Sequence, residues 1–74
     1  MSTLLDLELG NKAVILEVLQ SSLSAKMAEM GIIEGEELSL TFKAPFGDPI
    51  AIEMNGSLLS LRKNEASLVK IQLI

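Results

Sequence analysis

Residues 44 to 50 read Ala-Pro-Phe-Gly-Asp-Pro-Ile, and no other stretch constrains the path of this chain so tightly. Pro45 and Pro49 each hold φ near −65° and lack a backbone donor. Gly47 between them accepts the positive φ that side chains resist. Asp48 can accept from nearby backbone amides and close a turn. So many constraints in so few residues predict one defined bend between two extended segments, with the aromatic Phe46 at or near the turn.

A second signal fixes the strands C-terminal to the bend. Asn55-Gly56 is the strongest short hairpin signal, a type I′ turn. A two-residue loop there pairs Met54 with Ser57, Ile52 with Leu59 and Ile50 with Leu61. The apolar partners then share one face, so turn chemistry and hydrophobic pattern agree on the register. Before the bend, Glu37 to Lys43 alternates, which predicts Leu38, Leu40 and Phe42 inward and Ser39, Thr41 and Lys43 outward. Lys12 to Gln20 is β-branched and apolar on both faces, which suits a strand covered on both sides or bent around a barrel corner. Leu68 to Ile74 reads as a last strand, with Val69, Ile71 and Leu73 on one face. Thr3 to Leu9 reads as a short extended segment, punctuated by Gly10-Asn11.

One helix stands out. Ser22 reads as its N-cap, and Leu23, Met27 and Met30 recur at i, i+4 and i+7. Gly31 sits where a left-handed C-terminal cap belongs. A helix of two turns cannot stand alone, so its Leu/Met stripe must pack on something. The stripe is expected to plug one end of a small barrel; the other use for such methionines is a partner-binding surface. Arg62 to Ala66 is polar and reads as a single helical turn.

Length allows one domain, residues 1–74. A chain this short buries only about 60 to 65% of its unfolded surface. It has no cysteine, so burial rather than cross-linking must hold it. Histidine is absent too, which removes the usual base of serine triads and the usual ligand of zinc and copper. The chain is expected not to be an enzyme, and no catalytic residue, cofactor site or metal ligand set is expected. Glu34, Glu36 and Glu37 form the densest acidic run. They read as a solvated face, since no EF-hand spacing accompanies them.

Six basic and ten acidic residues give a net charge of −4, and there is no Trp or Tyr. Nucleic-acid binding needs a basic footprint and often aromatic stacking, so that class is excluded. No apolar run reaches the roughly 20 residues that span a bilayer, and Met1 to Glu8 lacks the basic start of a signal peptide. The expectation is a soluble cytoplasmic protein with no membrane insertion. High hydropathy in so small a chain adds self-association, through an exposed apolar patch or edge strand, as a partner expectation.

About five short strands and one inserted helix avoid exposed edges best by curling. The expected fold is therefore mainly β, a small SH3-like, partly open barrel of about five strands with one short inserted helix. An OB-type barrel usually needs a longer chain.

Three segments in order carry a family resemblance: Lys26 to Ile32, Ala44 to Ile50, and Leu59 to Ala66. With their spacing they resemble the ferrous iron transport protein A (FeoA) family over essentially the whole chain. The Pro-Phe-Gly-Asp-Pro-Ile stretch followed by Leu-Arg-Lys is the strongest part of the match. The resemblance implies a small cytoplasmic bacterial accessory protein with an SH3-like fold. It would work beside a large membrane protein that joins a GTPase domain to a transmembrane permease for ferrous iron. Transition-metal binding is attached to the family, but no residue of this chain supplies a metal site. The same fold occurs as the C-terminal domain of DtxR-type repressors, so a metal- or effector-responsive regulatory domain is the alternative. Two departures from the family pattern stand out. Glu34 replaces a common proline after the helix, and Ala25 stands where an arginine is frequent.

The candidate contact residues are Pro45, Phe46, Gly47, Asp48, Pro49, Arg62, Lys63, Met27 and Met30, facing the cytoplasmic part of the transporter. Each has a plainer reading. Phe46 can fold onto the barrel while Asp48 caps its own turn. Arg62 and Lys63 can be a solvated turn, or can meet an acidic or phosphate-bearing surface. The GTP-binding loop signature is absent, and two phenylalanines cannot build the aromatic groove that binds Pro-rich peptides.

Overall fold

Asn55 and Gly56 both adopt positive φ, 53° and 80°, as a type I′ turn requires. They join β4 (Ile50–Met54) to β5 (Ser57–Leu61), and Ile50 pairs with Leu61, Ile52 with Leu59 and Met54 with Ser57. The register is the one the sequence predicts. The structure, a computed structural model, describes residues 2–74. The other strands are β1 (Ser2–Thr3), β2 (Lys12–Val18), β3 (Glu37–Lys43) and β6 (Val69–Leu73). Two short helices, α1 (Ser24–Glu29) and α2 (Lys63–Ala66), join them, with a 3-10 turn at Leu4–Asp6.

All strand pairs are antiparallel, and the sheet runs β1-β6-β2-β3-β4-β5. Its two end strands, β1 and β5, do not pair with each other, so the sheet curls without closing. Two bulges bend it. One lies in β2 between Ile15 and Glu17, opposite β6, and one in β3 between Leu40 and Phe42, opposite β4. An extra residue on one strand breaks the two-residue alternation and increases the local twist.

The second bulge corrects one expectation. Leu40 pairs with Ile52, but Phe42 pairs with Ala51, so Thr41 is the unpaired extra residue. Beyond it the faces swap, and Phe42 is 51% exposed rather than inward. Leu73, the last residue of β6, is also largely exposed, although its partner Ala13 is fully buried.

The segment read as extended, Thr3 to Leu9, is extended only at its start. Thr3 Oγ1 accepts from the Leu5 amide at 3.2 Å and Asp6 Oδ2 accepts from the Thr3 amide at 3.0 Å. This reciprocal cap turns the chain inward. It drives Leu4 and Leu7 fully into the core.

The helix start also differs. Leu23, not Ser22, is the N-cap residue and makes no side-chain cap bond. The turn before it is held by Ser21 Oγ, which accepts from the Leu23 amide at 2.9 Å, and by Ser24 Oγ, which donates to Ser21 O at 2.7 Å. At the other end, the Gly31 amide donates to Ala28 O and the Ile32 amide to Met27 O, each at 3.0 Å, while Gly31 holds φ +88°. That is a Schellman cap, and Ile32 and Met27 bury together beneath it. Met27 is fully enclosed in the core with Leu4, Ile15, Ile52 and Leu61. It therefore leaves the candidate contact surface, and Met30 is half-buried against the same core. The stripe is a core stripe.

Candidate functional site

The 44–49 loop is built from short-range bonds. The Gly47 amide donates to Ala44 O at 2.7 Å, which makes residues 44–47 a β-turn with Pro45 and Phe46 at its centre. Pro45 suits the first central position because its fixed φ is the one that position needs. The Ala44 amide donates to Pro49 O at 3.1 Å and closes the base. The Asp48–Pro49 peptide is cis. Phe46, at the turn's tip, has nothing beneath it and is 91% exposed. Of the two readings of this ring, folding onto the barrel is excluded.

Asp48 does not cap its own turn. Its Oδ1 accepts from the Lys63 amide at 3.2 Å, fifteen residues on, at the first turn of α2. Free amides at a helix start favour a carboxylate there. This bond holds the loop against α2. Asp48, Arg62 and Lys63 thus line one shallow surface depression with Leu5, Asn64 and Ser67. Pro45, Phe46, Pro49, Arg62 and Lys63 are all exposed, and Gly47 is half-buried.

A second carboxylate sets α2 in place. Glu65 Oε1 accepts from the Arg62 amide at 2.8 Å, and Oε2 accepts from Lys26 Nζ on α1 at 2.7 Å. Glu65 is buried, whereas the Lys26 side chain keeps 62% of its surface. The Lys26 hydrogen bond, then the Arg62 amide, hold the Glu65 carboxyl below its ordinary value against the opposing effect of burial. The loop, α2 and α1 are thereby tied in series.

Sequence reasoning singled out neither Lys26 nor Glu65. Glu65 had a faint signal: it stands three residues after the cap position, the spacing of a capping box. Arg62 in place of Ser or Thr concealed it. Lys26 had none, since its partner is 39 residues away. Among the described residues, no group of three or more Asp or Glu is arranged to hold a metal ion. No helix among them is long and apolar enough to cross a membrane.

The FeoA domain model matches residues 2–73. The chain belongs to the FeoA domain family. Solved relatives agree with this. A FeoA-like protein from Clostridium acetobutylicum is 35% identical, with a TM-score of 0.88 over 100% of this chain and 91% of that one. Iron(II) transport protein A from Clostridium thermocellum is 32% identical, with a TM-score of 0.92 over 99% of this chain but only 46% of that one. Stenotrophomonas maltophilia FeoA, solved in complex with zinc, is 27% identical, with a TM-score of 0.85 over 97% of this chain and 91% of that one. That protein is described as a prokaryotic SH3 domain protein and suggested as an activating factor for ferrous iron transport. The partly open sheet of this FeoA domain is thus SH3-like, with six strands where about five were expected, and the helical turn read at residues 62 to 66 is present as α2. A search of curated proteins finds no match.

Proposed function

We propose that this FeoA domain is a non-enzymatic accessory module of ferrous iron uptake, acting in the cytoplasm. It docks reversibly on the cytoplasmic part of a GTPase-permease iron transporter and shifts the balance between its conformations. The transporter as partner comes from the family; the contact surface comes from this chain. One observation carries that surface: Phe46 stands almost wholly in water at the tip of a loop fixed by its own turn and by Asp48. An aromatic ring held out on a rigid support binds at low entropic cost, the property of interface anchors. Arg62 and Lys63 beside it favour an acidic surface around the pocket that takes the ring.

The test is a binding titration of the full chain against the transporter's cytoplasmic domain. Phe46→Ala is expected to weaken binding at least tenfold, and Arg62→Ala several-fold with reduced salt dependence. Both variants should keep the parent thermal midpoint. Unchanged binding in both would move the contact surface elsewhere. Tight stoichiometric uptake of Fe(II) under anaerobic titration, without transporter binding, would favour a metal-sensing domain instead.

A further inference from the structure

A second surface shares no residue with the loop and α2. It is an open groove of about 500 Å³ between α1, the end of β2 and the connection after α1. Its apolar lining is Val18, Ala25, Ala28, Ile32 and Ile33, and Glu17, Gln20, Ser24 and Glu34 are its polar lining. The groove has a local cause. Ala25 and Ala28 lie at i and i+3 on α1, so two short side chains face the same way and leave space above them. The Gly31 cap then sends Ile32 into the core and leaves Ile33 48% exposed. Backbone bonds hold the wall opposite α1: Gly35 donates to Ile15 O at 2.8 Å and Ile15 donates to Glu36 O at 2.9 Å. The groove is therefore formed before anything binds.

Its charge is one-sided. Among the described residues, no cation lines it. Lys26, on the same helix, is held by Glu65 at 2.7 Å. Lys70 lies opposite Glu17 in the strand register, yet among the described residues the Lys26–Glu65 contact is the one ion pair.

We infer that this groove captures a short cationic peptide segment, an aliphatic side chain flanked by lysine or arginine. The aliphatic group covers Ala25, Ala28 and Ile33, and the flanking cations meet Glu17 and Glu34. The net charge of −4 attracts such a segment from a distance. Cytoplasmic loops next to membrane-spanning helices are rich in lysine and arginine beside apolar residues, so a juxtamembrane loop is the natural source. Only that choice of source rests on the proposed transporter partner; the groove's chemistry does not.

The experiment is an NMR titration of the isotope-labelled full chain with three synthetic peptides. The first has a Leu-Ile-Leu centre flanked by lysines, the second the same centre flanked by glutamates, the third a triple-serine centre flanked by lysines. The first is expected to shift Val18, Ala28 and Ile33 with saturation, and to bind at least fivefold more tightly than either control. Raising salt from 50 to 500 mM should weaken it several-fold. Ala28→Leu, on the exposed helix face, should abolish the shifts by filling the groove, and Glu34→Lys should reverse the preference between the charged peptides. Loop docking is read separately, from shifts at residues 45 to 49, so either reading can fail alone. Equal binding of the lysine- and glutamate-flanked peptides would overturn the inference. So would no groove shifts at millimolar peptide, or groove shifts that grow with protein concentration alone, which would assign the groove to a second copy.

Discussion

Asp48 and Gly31 each hold a local part of the fold, whereas Phe46 stands outside it. Phe46 contributes almost nothing to the core at 91% exposure, so its replacement by serine should change stability by no more than about 0.5 kcal/mol. In the proposed docking its value lies in contact with the partner. Asp48 ties the loop to α2 through one backbone amide. Gly31 ends α1 at φ +88°, and a Cβ there would meet only Met54 Cε at an ordinary 3.7 Å. Space is not the obstacle; the left-handed backbone is. Gly31→Ala is therefore expected to cost about 1–2 kcal/mol, measured by urea unfolding, with the native spectrum retained. A larger loss would mean that the Met27–Ile32 packing also shifts.

Helices of four and six residues cannot persist on backbone bonds alone, so α1 and α2 depend on each other and on the sheet. Glu65 is the link. A carboxyl held below its ordinary value binds a proton less readily in the folded state than in the unfolded one. Its contribution is complete above the unfolded value of about 4.3 and fades as pH falls through the lower folded value. Glu65→Gln should thus reduce stability at neutral pH by about 1–2 kcal/mol and flatten the fall in stability below about pH 5. Unfolding titrations of both proteins between pH 2 and 7 measure it. The free edge of β5 gives an independent check. In the register of the hairpin, Leu58 and Ser60 aim their amides away from β4, and β5 has no other partner strand among the described residues. Both amides should exchange rapidly with solvent at low protein concentration while Ile52 and Leu59 stay protected. Protection of Leu58 and Ser60 that rises with concentration would report edge pairing between copies, the self-association expected from the high hydropathy.

The whole molecule is held by a single cluster that every strand but β1 feeds, closed by the residues C-terminal to β1. Leu4 and Leu7 come from the 3-10 turn and its exit, are fully buried, and the turn rests on both α2 and β6. The N-terminal segment thereby covers the end of an unclosed sheet. A domain of this length has a total stability of about 4–11 kcal/mol. Leu4→Ala should remove about 2–5 kcal/mol of it, a large share. Thermal unfolding should show the loss, and the loop and groove readings should both weaken together, since α2 and α1 lose their common support. A stable Leu4→Ala variant would show that the segment is only an appendage.

Local chemistry was legible in the letters alone. The Asn55-Gly56 turn and its hairpin register, the Gly31 cap, the core face of β4 and the tight bend at residues 44 to 49 all depend on neighbours within a few positions. Each rests on φ preferences or on two-residue alternation, which a string of residues displays directly. Packing between distant segments set the remaining features. The bulge that turned Phe42 outward arises from pairing between β3 and β4, so alternation alone missed it. Phe46 is exposed because no element lies beneath its turn. Asp48 found an amide fifteen residues away, and Lys26 and Glu65 met across 39. The groove exists because two alanines face a connection whose path is set by bonds to β2. Such features depend on which distant parts of the chain become neighbours, and only the packed core settles that.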